Sequence, residues 1–163
     1  MKKVLVVDHE KCNGCTYCVL VCSMAHEGVV QRSRSRIQVF RSEEKVFFVP
    51  TLCEHCEDPP CVEACPVGAI SKDSETGLVS VDENACTACG VCVEVCPYHA
   101  VRIHPERRVA VLCDLCGGEP LCAKACSVMK AIEWVEATPE ALRRRSKLAE
   151  SRIEALKSVL ETW

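Results

Sequence analysis

Cys86-Thr-Ala-Cys89-Gly-Val-Cys92-Val-Glu-Val-Cys96-Pro97 decides the fold of this chain. Its spacing is C-x2-C-x2-C-x3-C-P. Three thiolates within seven residues, two residues apart each time, fold over one face of an iron–sulfur cube. The fourth, held by the turn that follows, points away and ligates a neighbouring cube. Gly90 leaves room for backbone to pass close to the cluster. Pro97 ends the turn and fixes where Cys96 points.

Three variants of this unit lie elsewhere in the chain. Cys12-Asn-Gly-Cys15-Thr-Tyr-Cys18-Val-Leu-Val-Cys22 has the same spacing, with Ser23 where the proline stood. Cys53-Glu-His-Cys56-Glu-Asp-Pro-Pro-Cys61-Val-Glu-Ala-Cys65-Pro66 has two extra residues before its third cysteine, stiffened by Pro59 and Pro60. Cys113-Asp-Leu-Cys116-Gly-Gly-Glu-Pro-Leu-Cys122-Ala-Lys-Ala-Cys126 has three extra, and Ser127 follows. The order tight, stretched, tight, stretched is a duplication. Val7-Asp8 before Cys12 matches Val81-Asp82 before Cys86, and Leu52-Cys53 matches Leu112-Cys113.

Composition agrees with a carrier of clusters. Sixteen of 163 residues are cysteine, which means disulfides in a secreted chain and metal sites in an intracellular one. Met1-Lys2-Lys3 leads into only residues 4–7 before Asp8, too short for the apolar part of a signal peptide, and no twin-arginine pair stands there. No run reaches the length of a membrane span. A reducing, cytoplasmic setting without membrane insertion is therefore expected. The net charge of −3 argues against a nucleic-acid binder. With only 4% aromatic residues the core is poor unless clusters fill it, and metal binding then supplies much of the folding free energy.

Between the motifs, short β-branched runs predict strands over residues 4–7 and 131–134. Hairpins are predicted from residues 37–41 with 46–49, from 69–72 with 78–81, and from 100–104 with 109–112. Pro50 is expected to close the first hairpin, and Pro105-Glu106 to turn the third. Arg32-Ser-Arg-Ser-Arg36 reads as a solvated loop rather than a docking patch. His55 is weighed as ligand or proton carrier against a plain hydrogen bond, and the plain bond is preferred because cysteine already completes the site. His99 and His104 read as surface or packing residues.

The tail changes character. Thr138-Pro139-Glu140 is an N-cap, a proline at N1 and an acid in the first turn. Leu142, Ser146, Ala149, Ile153, Leu156, Leu160 and Trp163 then alternate at spacings of four and three, a seam for docking or self-association or for packing on the chain itself, with docking preferred. The expected class is α+β. Residues 1–137 form a four-cluster domain of two pseudo-symmetric bacterial-ferredoxin-like modules, with short hairpins and helices around the clusters. The inner module is about 50–104, the outer is built from 1–49 and 105–137, and a C-terminal helix occupies 138–163.

The second and third motifs both end in Cys-Pro and the first and fourth in Cys-Ser, which suggests an inner and an outer pair. Pairing within each half uses the same sixteen ligands. The four motifs in this order resemble the four-cluster electron-transfer subunits of molybdenum and tungsten oxidoreductases, such as dimethyl sulfoxide reductase, formate dehydrogenase and tungsten aldehyde oxidoreductases. Cys53-Glu-His-Cys56 with Pro59-Pro60-Cys61, and the stretch from Cys86 to Pro97, carry the resemblance most specifically. It implies four 4Fe-4S clusters in a near-linear row, in nested sets: Cys12, Cys15, Cys18 with Cys126; Cys113, Cys116, Cys122 with Cys22; Cys53, Cys56, Cys61 with Cys96; and Cys86, Cys89, Cys92 with Cys65.

The resemblance further implies a relay of single electrons between a larger catalytic subunit, holding tungsto- or molybdopterin, and a flavin or ferredoxin redox partner. No residue of this chain need act as acid, base or nucleophile. No G-x-G-x-x-G, phosphate loop or Ser-His-Asp arrangement is found, so substrate chemistry belongs to another chain. The alternatives are a freely diffusing polyferredoxin and an all-thiolate zinc scaffold. Zinc modules use paired C-x2-C knuckles, whereas here a third cysteine follows at the same spacing.

Overall fold

The computed structural model describes residues 3–42 and 47–161. Among the described residues eight short strands pair two by two, and five α-helices fill the space between them. The class is α+β.

Strand β1 (Lys3–Val7) pairs antiparallel with β8 (Ile132–Glu136), so the two ends of the motif-bearing region meet. Both strands are rich in β-branched residues, and Val4 to Val7 are all buried, Leu5 and Val7 in a cysteine-lined core, with the last helix packed against the strand. Strands β2 (Gln38–Ser42) and β3 (Phe47–Thr51) form a hairpin whose connection, and the expected strand start at Val46, lie outside the described residues. Pro50 does not close this hairpin. It sits inside β3 opposite Val39, as a two-stranded sheet allows because its outer edges need no ladder donor. The other hairpins are β4 (Ile70–Lys72) with β5 (Val79–Val81) and β6 (Arg102–Ile103) with β7 (Ala110–Val111).

Each motif delivers its third cysteine on the start of a helix. Helix α1 (Tyr17–Glu27) is the long one, closed by Gly28 at φ +67° with its N–H on the Met24 carbonyl. Helices α2 (Pro60–Glu63), α3 (Val91–Glu94) and α4 (Leu121–Ala125) are one turn each. In the stretched motifs the inserted residues end on Pro60 at N1 of α2 and Pro120 at the N-cap of α4.

Two cores result. One gathers Leu5, Val19, Ile37, Leu52 and Ile132 around Cys18, Cys22, Cys113 and Cys122. The other gathers Ile70, Val79, Val101 and Leu112 around Cys61 and Cys92. Cys53 packs against both.

Helix α5 (Pro139–Leu160) has the expected cap, with Thr138 Oγ1 accepting from the Ala141 N–H at 3.2 Å. Its buried face coincides with the predicted seam only at Ala149 and Leu156. Ala149, Arg152, Leu156 and Val159 face the chain's own β1, β2 and β3, and Val49 packs on Leu156 and Val159. Leu142 and Ser146 are exposed, Ile153 and Leu160 half-buried, and Trp163 lies outside the described residues. The seam is displaced because Arg152 is drawn inward by an acidic partner that the spacing does not reveal.

Candidate cluster-binding site

All sixteen cysteines are unpaired thiols, and they come together in groups. The loops that present them share one backbone device. The residue just before the second cysteine is left-handed in every motif: Gly14 at φ +73°, His55 at +46°, Ala88 at +55° and Leu115 at +58°. This turn aims an amide at the first sulfur. The His55 N–H donates to Cys53 Sγ and the Leu115 N–H to Cys113 Sγ, both at 3.4 Å, and the Gly14 amide bonds Cys12. Only Gly14 adopts the conformation without steric cost. Gly14 is also needed for space, since a Cβ there meets the Phe48 ring at 2.4 Å. At Gly90, by contrast, a Cβ would find no protein atom within 4 Å, so its φ of +85° is the reason for glycine there.

The fourth cysteines are held by amides further on. Ala69 N–H donates to Cys65 Sγ at 3.2 Å and Ala100 N–H to Cys96 Sγ at 3.4 Å, the same bond at the same place in Cys65-Pro-Val-Gly-Ala69 and Cys96-Pro-Tyr-His-Ala100. Several amides of residues 67–70 outweigh the burial that pushes the Cys65 thiol up, and they hold it below its ordinary range. Cys22 has no such proline turn. It takes the Arg36 N–H at 3.4 Å and lies 3.7 Å from His26 Nδ1, and these donors outweigh burial and lower it.

Electrostatics reveal which sulfurs are neighbours. Burial pushes the Cys12 thiol up, the Gly14 amide opposes it, and the sulfurs of Cys126 and Cys15 add repulsion. Burial and then Cys12, Cys15 and Cys126 push Cys18 up to about 12. Cys12, Cys15, Cys18 and Cys126 also line one small cavity together. Cys122, pushed up by burial, is repelled by Cys113, Cys116, Cys22 and Cys18. Cys113 rises to about 12 by burial, with Cys22 and Cys116 adding to it. Cys61 rises to about 11 by burial, with Cys96, Cys56 and Cys92 as neighbours. Cys56 is raised by burial and then Cys96. Cys92 is raised by burial and then Cys86, Cys89 and Cys65. Cys53, raised by burial, faces Cys113, Cys61 and Cys56. Soft donors gathered this closely, mutually repelling as thiolates and supplied with N–H donors, fit a cationic iron core that relieves the repulsion.

The histidines have structural roles. His55 is buried; its Nδ1 accepts from the Val79 N–H at 3.0 Å, and burial lowers it to about 4. Of surface and packing, His104 takes the packing role: it is buried, bonds Glu27 at 3.1 Å, and its Nδ1 accepts the Glu106 and Arg107 amides. His99 packs edge-on against Phe40. The basic run is not a solvated loop either. Arg34 pairs with Glu106, Arg36 with Asp114, and Ser35 is buried, so the run fastens the first half of the chain to the second. His26 and Asp114, bonded at 3.0 Å beside Cys22 and Cys116, escaped the sequence reading. His26 follows Cys22 by one helical turn, a spacing that is visible in the sequence.

Residues 44–136 match the 4Fe-4S dicluster domain family, and residues 11–69 match a second family of the same description. The polyferredoxin-like subunit of aliphatic sulfonate oxidoreductase from Pyrococcus furiosus is 43% identical over 122 residues, covering 75% of this chain and 70% of that protein. A tetrathionate reductase subunit from Archaeoglobus fulgidus is 42% identical over 113 residues, 69% of this chain and 54% of its own length. The thiosulfate reductase electron transfer subunit from Salmonella typhi is 36% identical over 138 residues, 76% of this chain and 70% of its own.

Proposed function

The chain belongs to the 4Fe-4S dicluster family of oxidoreductase electron-transfer subunits, and from that premise we propose how its four clusters are held and what each end of the row meets. The sulfur neighbourhoods carry the proposal. They favour the nested sets: Cys12, Cys15, Cys18 with Cys126; Cys113, Cys116, Cys122 with Cys22; Cys53, Cys56, Cys61 with Cys96; Cys86, Cys89, Cys92 with Cys65. Electrostatic neighbours across the sets support one row, since Cys18 acts on Cys122, Cys113 on Cys53, and Cys92 on Cys61. The pairing of β1 with β8 supports the inner and outer modules, with the outer assembled from both ends of the domain.

When bound, the clusters accept and pass on single electrons at potentials set within a range of roughly −700 to +450 mV by hydrogen bonds and burial. The protein positions them, donates N–H groups to sulfur and keeps water from the middle of the row. Cys15 and Cys89 are the two exposed cysteines, and they belong to the two terminal sets. Electrons therefore enter and leave at those ends.

The ends differ. Beside Cys15 runs an apolar groove between α1 and α4 lined by Tyr17, Leu20, Met24, Val30 and Leu121, and Tyr17 also lines the cavity of the first set. Tyr17, Met24 and Val30 are half or more exposed, an unusual amount of bare apolar surface. This end seats the larger catalytic subunit, a tungsto- or molybdopterin oxidoreductase. The Cys89 end, with Asp82, Glu83 and Glu94 around its motif, meets a flavin or ferredoxin partner. Self-association through α5 would use Leu142 and Ser146 on its outer face. Unpaired thiols suit a reducing compartment, and the cytoplasm is the setting in which this reading puts the chain. No helix among the described residues is long and apolar enough to cross a membrane.

Anaerobic pull-down of the native chain tests this. About sixteen irons and as many sulfides per chain, with a larger tungsten- or molybdenum-bearing subunit co-eluting, is the expected result. Met24→Asp should release that subunit and leave the iron. Iron with no co-eluting subunit makes the chain a free polyferredoxin, and zinc in place of iron overturns the cluster assignment.

A further inference from the structure

Glu54 lies between two cysteines of the second motif and is almost fully buried. Its carboxylate is held by two guanidiniums from α5. Arg145 Nε donates to Oε2 at 3.0 Å and its Nη2 to the Glu54 carbonyl, while Arg152 Nη2 donates to Oε1. Arg152 is 1% exposed, the largest fully buried side chain among the described residues, and its guanidinium stands 5.4 Å from the Tyr98 ring centre. Tyr98 follows Cys96 by two residues. Both arginines, Glu54 and Cys56 act electrostatically on Tyr98, so the network lies beside the cluster proposed for Cys53, Cys56, Cys61 and Cys96.

A buried arginine is costly, and one carboxylate does not neutralise two. His55, held neutral, adds no charge, and Glu57 and Glu150 at the rim are exposed and screened by solvent. Among the described residues no second carboxylate pairs with either guanidinium, so the network itself carries one net positive charge next to the proposed cluster, with Asp8 and Glu10 reaching it only through His9. Hydrophobic side chains would fix α5 on the sheet equally well, as Leu156 and Val159 do one and two turns further on. The family match ends at residue 136 and α5 begins at Pro139, so this charge comes from outside the matched domains.

We propose that α5 tunes one cluster of the four: Arg145 and Arg152, anchored on Glu54, raise the reduction potential of the cluster held by Cys53, Cys56, Cys61 and Cys96. Reduction adds one electron and one negative charge to that cluster, with no bond made or broken, and a neighbouring cation stabilises the reduced form. Arg145, Arg152 and Glu54 are positioning residues that act through the cluster. The cluster becomes the site in the row where an electron rests. The inference depends on the nested sets proposed above.

Glu54→Gln and Arg152→Met break the same ion pair but change the local charge in opposite directions. The test is a redox titration of the full-length, iron-loaded protein followed by electron paramagnetic resonance. One of the four potentials should rise in Glu54→Gln and fall in Arg152→Met, with the other three unmoved. Shifts of the same sign in both variants mean that the network merely holds the loop, and no shift in either means that it is remote; each overturns the proposal. Should Arg152→Met fail to fold, Arg145→Gln, at the more exposed end of the network, must show the same fall. Iron is counted on the wild-type chain first. Fewer than about sixteen irons overturns the cluster sets, whereas a full complement with unmoved potentials overturns only the role of α5.

Discussion

The first and third motifs have identical spacing and different supports. Gly14 of the first is wedged under Phe48, while Ala88, its counterpart in the third, adopts a similar left-handed turn with a Cβ. Thr16 and Gly90 repeat the exchange in reverse, at φ +59° and +85°. The first motif runs on into the three-turn α1, and the third into the single turn α3. Cys22 is buried against His26 and Arg36, and Cys96 is half-buried under an amide of its own turn. Spacing therefore fixes how sulfurs surround a cluster, and the tertiary neighbours decide how firmly each loop is held.

The largest expected difference is at the fourth cysteines. Cys22→Ser should remove about four irons and leave the Arg36 N–H and His26 facing a shorter, neutral hydroxyl instead of a thiolate in a buried setting. Cys96→Ser leaves a single amide to be rehydrated at a half-buried place. Iron content and thermal midpoint under argon should show the first variant losing on the order of 4 kcal/mol and the second clearly less. Equal losses would mean that the supports do not matter.

Gly14→Ala comes next. The added methyl meets Phe48, a ring in a well-packed place, and φ +73° is strained for any side chain. A loss of about 2 kcal/mol in the thermal unfolding of the iron-loaded protein is expected, and Phe48→Ala in the same chain should recover the steric part. No recovery would show that the left-handed turn alone requires the glycine.

Much of this was legible in the sequence. The cysteine spacing gives the loops, and β-branched runs between turn residues give the strands of all four sheets. What escaped depends on contacts far along the chain. Arg145 and Arg152 meet Glu54 across 91 and 98 residues, so no local pattern could show why the buried face of α5 departs from its apolar seam. Arg34 finds Glu106 at a separation of 72, and a basic run that looks solvated is spent on internal pairs. Pro50 misleads because a proline ends a strand in a wide sheet but is tolerated in a two-stranded one. Helix α1 was missed because its cysteines mask an ordinary apolar helix that ends in a glycine cap.

Glu27, at the end of α1, has no equivalent after the third motif. Burial pushes its carboxyl up, but hydrogen bonds from His104 and Arg107 and the charge of Arg107 outweigh this and hold it below the ordinary range. A carboxyl lowered in the folded state stabilises the fold above its unfolded value, near pH ~4.3, and that contribution fades as pH falls through the folded value. Glu27→Gln should therefore cost stability at neutral pH, on the order of 1 kcal/mol, and converge with the wild type in acid. Parallel curves in a midpoint-against-pH series would show that the pair contributes nothing through charge.

The smallest effect is expected at Ala88, and it bears most directly on the comparison. Left-handed backbone costs an alanine about 1 to 2 kcal/mol, while glycine loses about 0.5 to 1 kcal/mol more chain entropy on folding. The difference favours Ala88→Gly by about 0.5 kcal/mol in the iron-loaded protein. The substitution is thus opposite in sign to Gly14→Ala, although the two positions are equivalent in spacing. If Ala88→Gly instead destabilises the protein, the methyl of Ala88 makes a contact with the cluster or its partner that outweighs the backbone strain. The third motif would then be supported from outside the polypeptide, as the first is by Phe48 from within.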